Sequence, residues 1–331
     1  MNEPILKLHW ERFKAHVDLD MKTATQLLSP YCIDAIDELT LLSEGCANTN
    51  YKLTFKNNRT PIVLRIYMRE QSALRREAEI YKLLENKIPV PNHYFADDSC
   101  QRYPHPYALI EWIDGKLMRE VILSKNEQAI CECAFEAGKY LNHLRQIKFD
   151  RGGFFDKNLN VRPFAEEEKY LPFVLNLLQD QIVKDSLGSE LLNDVSSLVE
   201  KNAILLMDVD NANLTHGDYD PANIMVKTIN DKWNIAAILD WEFAFSGTYL
   251  LDIGLMLRYS HKLPKYYEER FVAGLESSGH RLPKTWKKQA KLKDLLCLLQ
   301  LIHYNPYTEK PNLNRDAVSL IANIIKDWNT Y

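Results

Sequence analysis

Apolar positions change their spacing along this 331-residue chain in a way that divides it into two parts. From about residue 8 to 30 the pattern predicts a helix, with a cap-like Thr23 and with Pro30 near its end. From Glu38 onward the spacing is that of strands. Leu39–Leu42, Tyr51–Phe55 and Ile62–Tyr67 are short apolar or alternating runs. The stretches between them, Gly45–Asn48 and Lys56–Thr60, are rich in turn formers. A helix is predicted from about Glu70 to Glu85, ended by Lys87-Ile-Pro-Val-Pro91, because proline disfavours helical backbone in the residue before it. Two more strands bracket Asp97 to Pro106, and the second, Tyr107–Ile113, runs into Asp114-Gly115.

Beyond Gly115 the chain reads as almost wholly helical, with amphipathic runs at 127–146, 167–183, 189–206, 248–260, 285–303 and 314–328. Two short apolar runs interrupt it, Ile224–Val226 and Trp233–Leu239. There is no internal repeat. A strand-rich first third followed by a helix-rich remainder predicts an α+β protein, divided into residues 1–113 and 114–331.

Composition narrows the class. With 46% hydrophobic and 11% aromatic residues the chain can bury a large core. Its net charge of −4 and pI near 6.2 give no basic excess, so no nucleic-acid partner is expected. Six cysteines are scattered without metal-ligand spacing. Cys131 and Cys133 fall on different faces of a predicted helix, so reduced thiols in a cytoplasmic protein are the expectation. The opening Met-Asn-Glu-Pro-Ile-Leu-Lys has no apolar core of signal-peptide length, and no run approaches ~18 apolar residues. No membrane partner is expected.

The chemistry concentrates between residues 214 and 242. Leu214-Thr-His-Gly-Asp-Tyr-Asp-Pro-Ala-Asn-Ile-Met-Val226 is followed by Ile238-Leu-Asp-Trp-Glu242. Taken alone, Asp-Pro-Ala-Asn also suits an ordinary turn. Its setting argues for more: an acid stands before the first short strand, an amide sits five residues later, and a second acid ends the next strand. Phosphoryl transfer needs a carboxylate to take the acceptor's proton, and an amide and a carboxylate to hold Mg²⁺ against the phosphates. Asp218 is the candidate catalytic residue, and Asn223 and Asp240 are the candidate metal ligands. His216, Asp220, Trp241, Glu242 and Asp252 flank them, and the Glu166–Glu168 run suits a solvated helix start.

Two further charges resist explanation as surface residues. Arg65 interrupts the apolar run 61–67, and Glu77 shares an inward helical stripe with Leu74, Tyr81 and Leu84. A buried charge is costly unless paired, so an Arg65–Glu77 pair is expected, with a snorkelling Arg65 as the alternative.

His-Gly-Asp-x-x-x-x-Asn followed by Ile-Leu-Asp-Trp-Glu resembles the aminoglycoside phosphotransferase and choline kinase-like family of small-molecule kinases. The resemblance spans roughly Leu41 to Gly254. It implies a bilobal protein-kinase-like fold and ATP, or alternatively GTP, used with Mg²⁺ to phosphorylate a small-molecule hydroxyl. It also implies that Gly45 and Asn48 belong to the loop over the phosphates, and that Arg65 and Glu77 replace the usual Lys–Glu pair. Glu111 and Ile113 are implied to meet the adenine through their backbone. No G-x-G-x-x-G or G-x-x-x-x-G-K-[ST] is present. A protein kinase is disfavoured because only twelve residues separate Asp240 from Asp252 and no Ala-Pro-Glu segment follows. A non-catalytic nucleotide-binding protein on the same fold is the other alternative.

Overall fold

A computed structural model describes residues 5–43, 47–207 and 212–331. The predicted helix over 8–30 is shorter than its pattern suggests. Only Met21–Leu28 (α1) is helical, and Asp20, not Thr23, caps it by accepting from the Thr23 N–H. Residues 5–20 run as an irregular strap instead. Beside local turns such as that from the Leu8 N–H to the Ile5 carbonyl, its polar groups bond to distant parts of the chain.

The strands Ile36–Leu42 (β1), Thr49–Phe55 (β2), Ile62–Ile66 (β3), His93–Asp97 (β4) and Tyr107–Glu111 (β5) form one antiparallel sheet in the order β1-β2-β3-β5-β4. Strand β3 lies at its centre and is buried throughout, which is why its sequence reads as continuous rather than alternating. On one face Ile62 and Leu64 pack with Leu27 and Leu28 of α1. On the other, Val63 and Tyr67 pack with Leu74 of the helix Ser72–Leu84 (α2). The inward stripe Leu74, Glu77, Tyr81 and Leu84 is buried as the pattern predicts.

The helical region begins with Lys116–Leu117 (β6), Met118–Leu123 (α3) and Glu127–Leu144 (α4). It continues through Gly153–Phe155 (β7), Val161–Pro163 (β8), Tyr170–Gln179 (α5) and Gln181–Lys201 (α6), the last interrupted at Gly188. Then come Asn213–Thr215 (β9), Ile224–Ile229 (β10), Lys232–Ile238 (β11) and Phe245–Gly247 (β12). Helices Tyr249–Met256 (α7), Lys265–Glu276 (α8), Trp286–Tyr304 (α9) and Pro311–Asp327 (α10) complete the chain.

The sequence pattern showed only two strands here. The others are two or three residues long, too short to leave a period. They form a sheet β11-β10-β6 and a sheet β8-β7-β12-β9. Helices α4 and α8 pack through reciprocal glycines: a Cβ on Gly138 would lie 2.0 Å from the Phe271 carbonyl, and one on Gly274 would lie 2.0 Å from that of Phe135. No described helix is long and apolar enough to cross a membrane. The described cysteines are all unpaired.

Candidate active site

Strand β9 delivers His216-Gly217-Asp218, and the loop is held from beneath by Asp252 at the start of α7. Its carboxylate accepts from the His216 N–H at 2.8 Å and the Gly217 N–H at 3.0 Å. Burial pushes the Asp252 carboxyl up to about 7 against the pull of these donors. Gly217 has φ +79°, and a Cβ there would meet the Phe243 carbonyl oxygen at 2.5 Å, so this position requires glycine. The imidazole of His216 is fully buried. Its Nδ1 receives the Asp218 N–H at 3.2 Å while Nε2 lies 2.9 Å from the Leu239 carbonyl. That pattern defines the neutral tautomer protonated at Nε2, and burial lowers the ring's pKa accordingly. His216 supports the loop and links it to the strand that ends at Asp240.

The candidate residues converge. Asn223 Nδ2 donates to the Asp218 carbonyl at 2.9 Å and to its Oδ2 at 2.7 Å. The Leu239 N–H donates to the Asn223 carbonyl at 2.8 Å, which sets Asp240 beside the loop. Asp240 itself adopts a left-handed backbone, φ 65° and ψ 61°, a conformation costly for a side chain other than glycine and concentrated at functional sites.

Arg65 and Glu77 are both buried, with Arg65 Nε 3.5 Å from Glu77 Oε2. The shorter contact of Arg65 is to Asp240: Nη2 lies 2.5 Å from Oδ1. Glu77 Oε1 also accepts from the Trp241 N–H at 3.0 Å and the Tyr81 hydroxyl at 3.2 Å, and Oε2 accepts from the Tyr67 hydroxyl. Burial would raise the Glu77 pKa, but Arg65 and these donors hold it below the ordinary value. The expected pair therefore belongs to a triad that includes Asp240.

Of the loop over the phosphates, Gly45 lies outside the described residues. Asn48 is buried; its Oδ1 accepts from the Met68 N–H and its Nδ2 reaches Glu242 Oε2 at 3.2 Å. Glu242 is also paired with Arg69 at 3.2 Å, and burial beside Asp240 pushes its carboxyl up to about 7. Glu111 closes β5. Its N–H donates to the Asn92 carbonyl, and its side chain accepts from the Asn92 amide at 2.8 Å. Ile113 follows it in the connection to β6. The Glu166–Glu168 run is tied locally, with Glu168 bound to Arg162.

The strap was not expected at the site. Lys7 Nζ lies 2.8 Å from Asp218 Oδ1 and 3.5 Å from Asp220 Oδ2. Burial disfavours its charge, yet the two aspartates outweigh this and raise its pKa, while Lys7 in turn holds Asp218 low against its own burial. Nothing local in the sequence marks Lys7, since its partners lie more than two hundred residues away. A groove of about 740 Å³ between α2 and β4 includes Tyr81, His93 and Tyr140 in its walls, but none of Asp218, Asn223 and Asp240 lines it.

The fold and loop are those of a kinase-like phosphotransferase. The model of the phosphotransferase enzyme family (APH) matches residues 38–286, and the chain belongs to that family. It is a small-molecule kinase. Among solved structures, the GDP complex of aminoglycoside 2'-phosphotransferase-IIIa superposes with a TM-score of 0.73 at 14% identity, covering 95% of this chain and 100% of that one. Aminoglycoside phosphotransferase APH(4)-Ia gives 0.67 at 13% identity, covering 93% and 99%. A ternary complex of a thermostable APH(4)-Ia mutant with AMP-PNP and hygromycin B gives 0.65 at 14%, covering 91% and 96%. No curated protein sequence matches the chain.

Proposed function

We propose that this kinase transfers the γ-phosphoryl group of ATP, with GTP as the alternative donor, to a hydroxyl of a small molecule in a Mg²⁺-dependent reaction. The observation that carries the reading is the Asp218–Asn223 contact on a loop anchored by His216 and Asp252, with Asp240 set beside that loop by the Leu239–Asn223 backbone bond. Residues 1–113 would bind the nucleotide, and residues 114–331 would supply the catalytic loop and the acceptor pocket. The nucleotide complexes of the structural neighbours support a nucleotide donor.

The donor set suits the metal. Asp240 offers a carboxylate and Asn223 an amide oxygen, hard oxygen ligands of the kind Mg²⁺ takes one or two of while keeping waters and phosphates. Asn223 spends its Nδ2 on Asp218, which leaves Oδ1 as the atom for a cation. When bound, Mg²⁺ supplies charge neutralisation on the phosphate oxygens.

Asp218 orients the acceptor hydroxyl and takes its proton on Oδ1, while Asn223 pins Oδ2. Asp240 would hold the cation and Arg65 would pair with the phosphates, with Glu77 keeping the guanidinium in place. Asn48 sets the loop over the phosphates, and backbone groups of Glu111 and Ile113 meet the adenine edge.

The test is transfer of labelled phosphate from ATP across a panel of hydroxylated metabolites and amino sugars, with two variants in parallel. Asp218→Asn should lower turnover by ~10²-fold or more with nucleotide affinity kept, the usual share of general-base catalysis. Asp240→Ala should lose Mg²⁺-dependent nucleotide binding in calorimetry. Wild-type turnover in the first, or unchanged Mg²⁺-ATP affinity in the second, refutes the assignment.

A further inference from the structure

The strap 5–19 crosses from the helical region to the sheet over the catalytic loop. At one end Leu6 is buried in the main core. Trp10 Nε1 donates to Asp316 Oδ2 at 2.8 Å, and the Glu11 carboxylate accepts from the Asn312 and Leu313 N–H groups at the start of α10. At the other end Arg12 Nη2 donates to the carbonyls of Ala47 and Asn48, next to the loop over the phosphates. The Val17 N–H meets Thr49 Oγ1, and the Leu19 N–H meets the Tyr51 hydroxyl. A strap that served packing alone would bury apolar side chains and leave its cations in water. This one buries the Lys7 ammonium against Asp218 Oδ1, the oxygen that must receive the acceptor hydroxyl. It does so with Leu6 and Lys7 both in left-handed backbone, φ 51° and 60°, which neither residue type favours.

We propose that the strap is a built-in competitor for the acceptor, with the Lys7 ammonium filling a cation subsite on Asp218 and Asp220 that an amine-bearing alcohol must take over for catalysis to proceed. The subsite is richer in acceptor atoms than one lysine can satisfy. Asp220 Oδ2 is buried without a hydrogen bond, 3.5 Å from the Lys7 ammonium. A ligand with an ammonium group beside its hydroxyl satisfies Asp220, relieves the strained turn, and places the hydroxyl at the oxygen Lys7 vacates. A neutral alcohol would remove the ammonium in contact with the partly buried Asp218 and the buried Asp220, leaving them only the pull of Arg258 and Arg119, which costs charge compensation at the site.

The inference rests on the phosphotransfer reading and can be tested apart from it. In the full-length chain, Lys7→Ala removes Cγ, Cδ, Cε and the ammonium and opens a slot of the length of n-propylammonium. With Mg²⁺-ATP and no acceptor, water then reaches Asp218. Its proton passes to the carboxylate, its oxygen bonds to the γ-phosphorus, and the bond to the departing ADP oxygen breaks, giving ADP and phosphate. Phosphate release should rise about tenfold, a fraction of what general-base catalysis supplies. Added n-propylammonium should reverse the rise, while n-propanol should not. Lys7→Met keeps the apolar stem and should show the same rise, which preserves the test if the alanine variant does not fold.

In calorimetry n-propylammonium should bind Lys7→Ala and not the wild type. Unchanged phosphate release in both variants, or no binding of n-propylammonium to Lys7→Ala, overturns the proposal. If neither the wild type nor the variants bind Mg²⁺-ATP, the phosphotransfer reading falls, and n-propylammonium binding alone decides the subsite.

Discussion

His93 shows how one residue can set the acid limit of the fold. Both of its ring nitrogens are buried without a hydrogen-bond partner, and the ring rests on Tyr81 with centroids 4.6 Å apart. Burial lowers its pKa from 6.5 to about 4, although Glu77 pulls the other way. A folded pKa below the unfolded one means the neutral ring contributes its full stability above pH 6.5, and this is lost as pH falls toward 4. The penalty for charging the ring reaches on the order of 3 kcal/mol at the acid end. His93→Phe keeps the aromatic contact and removes the titration. Urea unfolding from pH 7 to pH 4 should show the variant gaining on the wild type as pH falls, and parallel curves would refute the argument. At this scale the sequence was legible wherever a residue's partners lay close by. Asp218 and Asn223 lie five residues apart and meet in the loop, and the hairpin β10–β11 returns the chain to Asp240 beside it, so spacing marked all three as neighbours. Lys7 has no local signal because Asp218 and Asp220 are remote in the chain.

Among the elements, β3, α2 and the turn at Asp240 act as one unit through Arg65 and Glu77. The stripe on α2 and the apolar run of β3 made both charges visible as buried, and charge cost alone required a pair. The third member, Asp240, was hidden, because strand register and a left-handed turn decide where its carboxylate points. Arg65 thus bridges Glu77, which also holds the Trp241 N–H, and the carboxylate assigned to the metal. Removing one partner strands the other, at a cost of ~3–5 kcal/mol for a buried pair. In a double-mutant cycle, Arg65→Met and Glu77→Gln should together cost less than the sum of the single changes. Additive losses in unfolding free energy would show that the two side chains do not depend on each other. The helix misread over residues 8–30 carries the complementary lesson. Periodicity there is real, but the strap gains more from distant partners than a helix would gain locally.

Across the whole molecule, the strap joins parts of the chain that sequence order keeps farthest apart. Glu11 accepts from the Asn312 N–H at 2.8 Å and the Leu313 N–H at 3.1 Å, so a residue near the start of the chain caps a helix near its end. Helix α10 begins at Pro311 without a capping side chain of its own, and its first amides need an acceptor. Burial would raise the Glu11 pKa, but these backbone donors outweigh it and lower the value. The sign follows from that direction: with the folded pKa depressed, the contribution is present above the ordinary carboxyl range and disappears as pH falls through the folded value. Glu11→Ala should therefore cost ~1 kcal/mol at neutral pH, the usual worth of a capping side chain. Because Glu11 lies between Lys7 and Arg12, the same change should loosen the strap over Asp218 and raise amide exchange at residues 5–13. Denaturation of the two proteins at pH 7 and at pH 3 separates charge from packing. A stability difference that persists unchanged at pH 3 would mean the side chain acts through its contacts and not through its carboxylate.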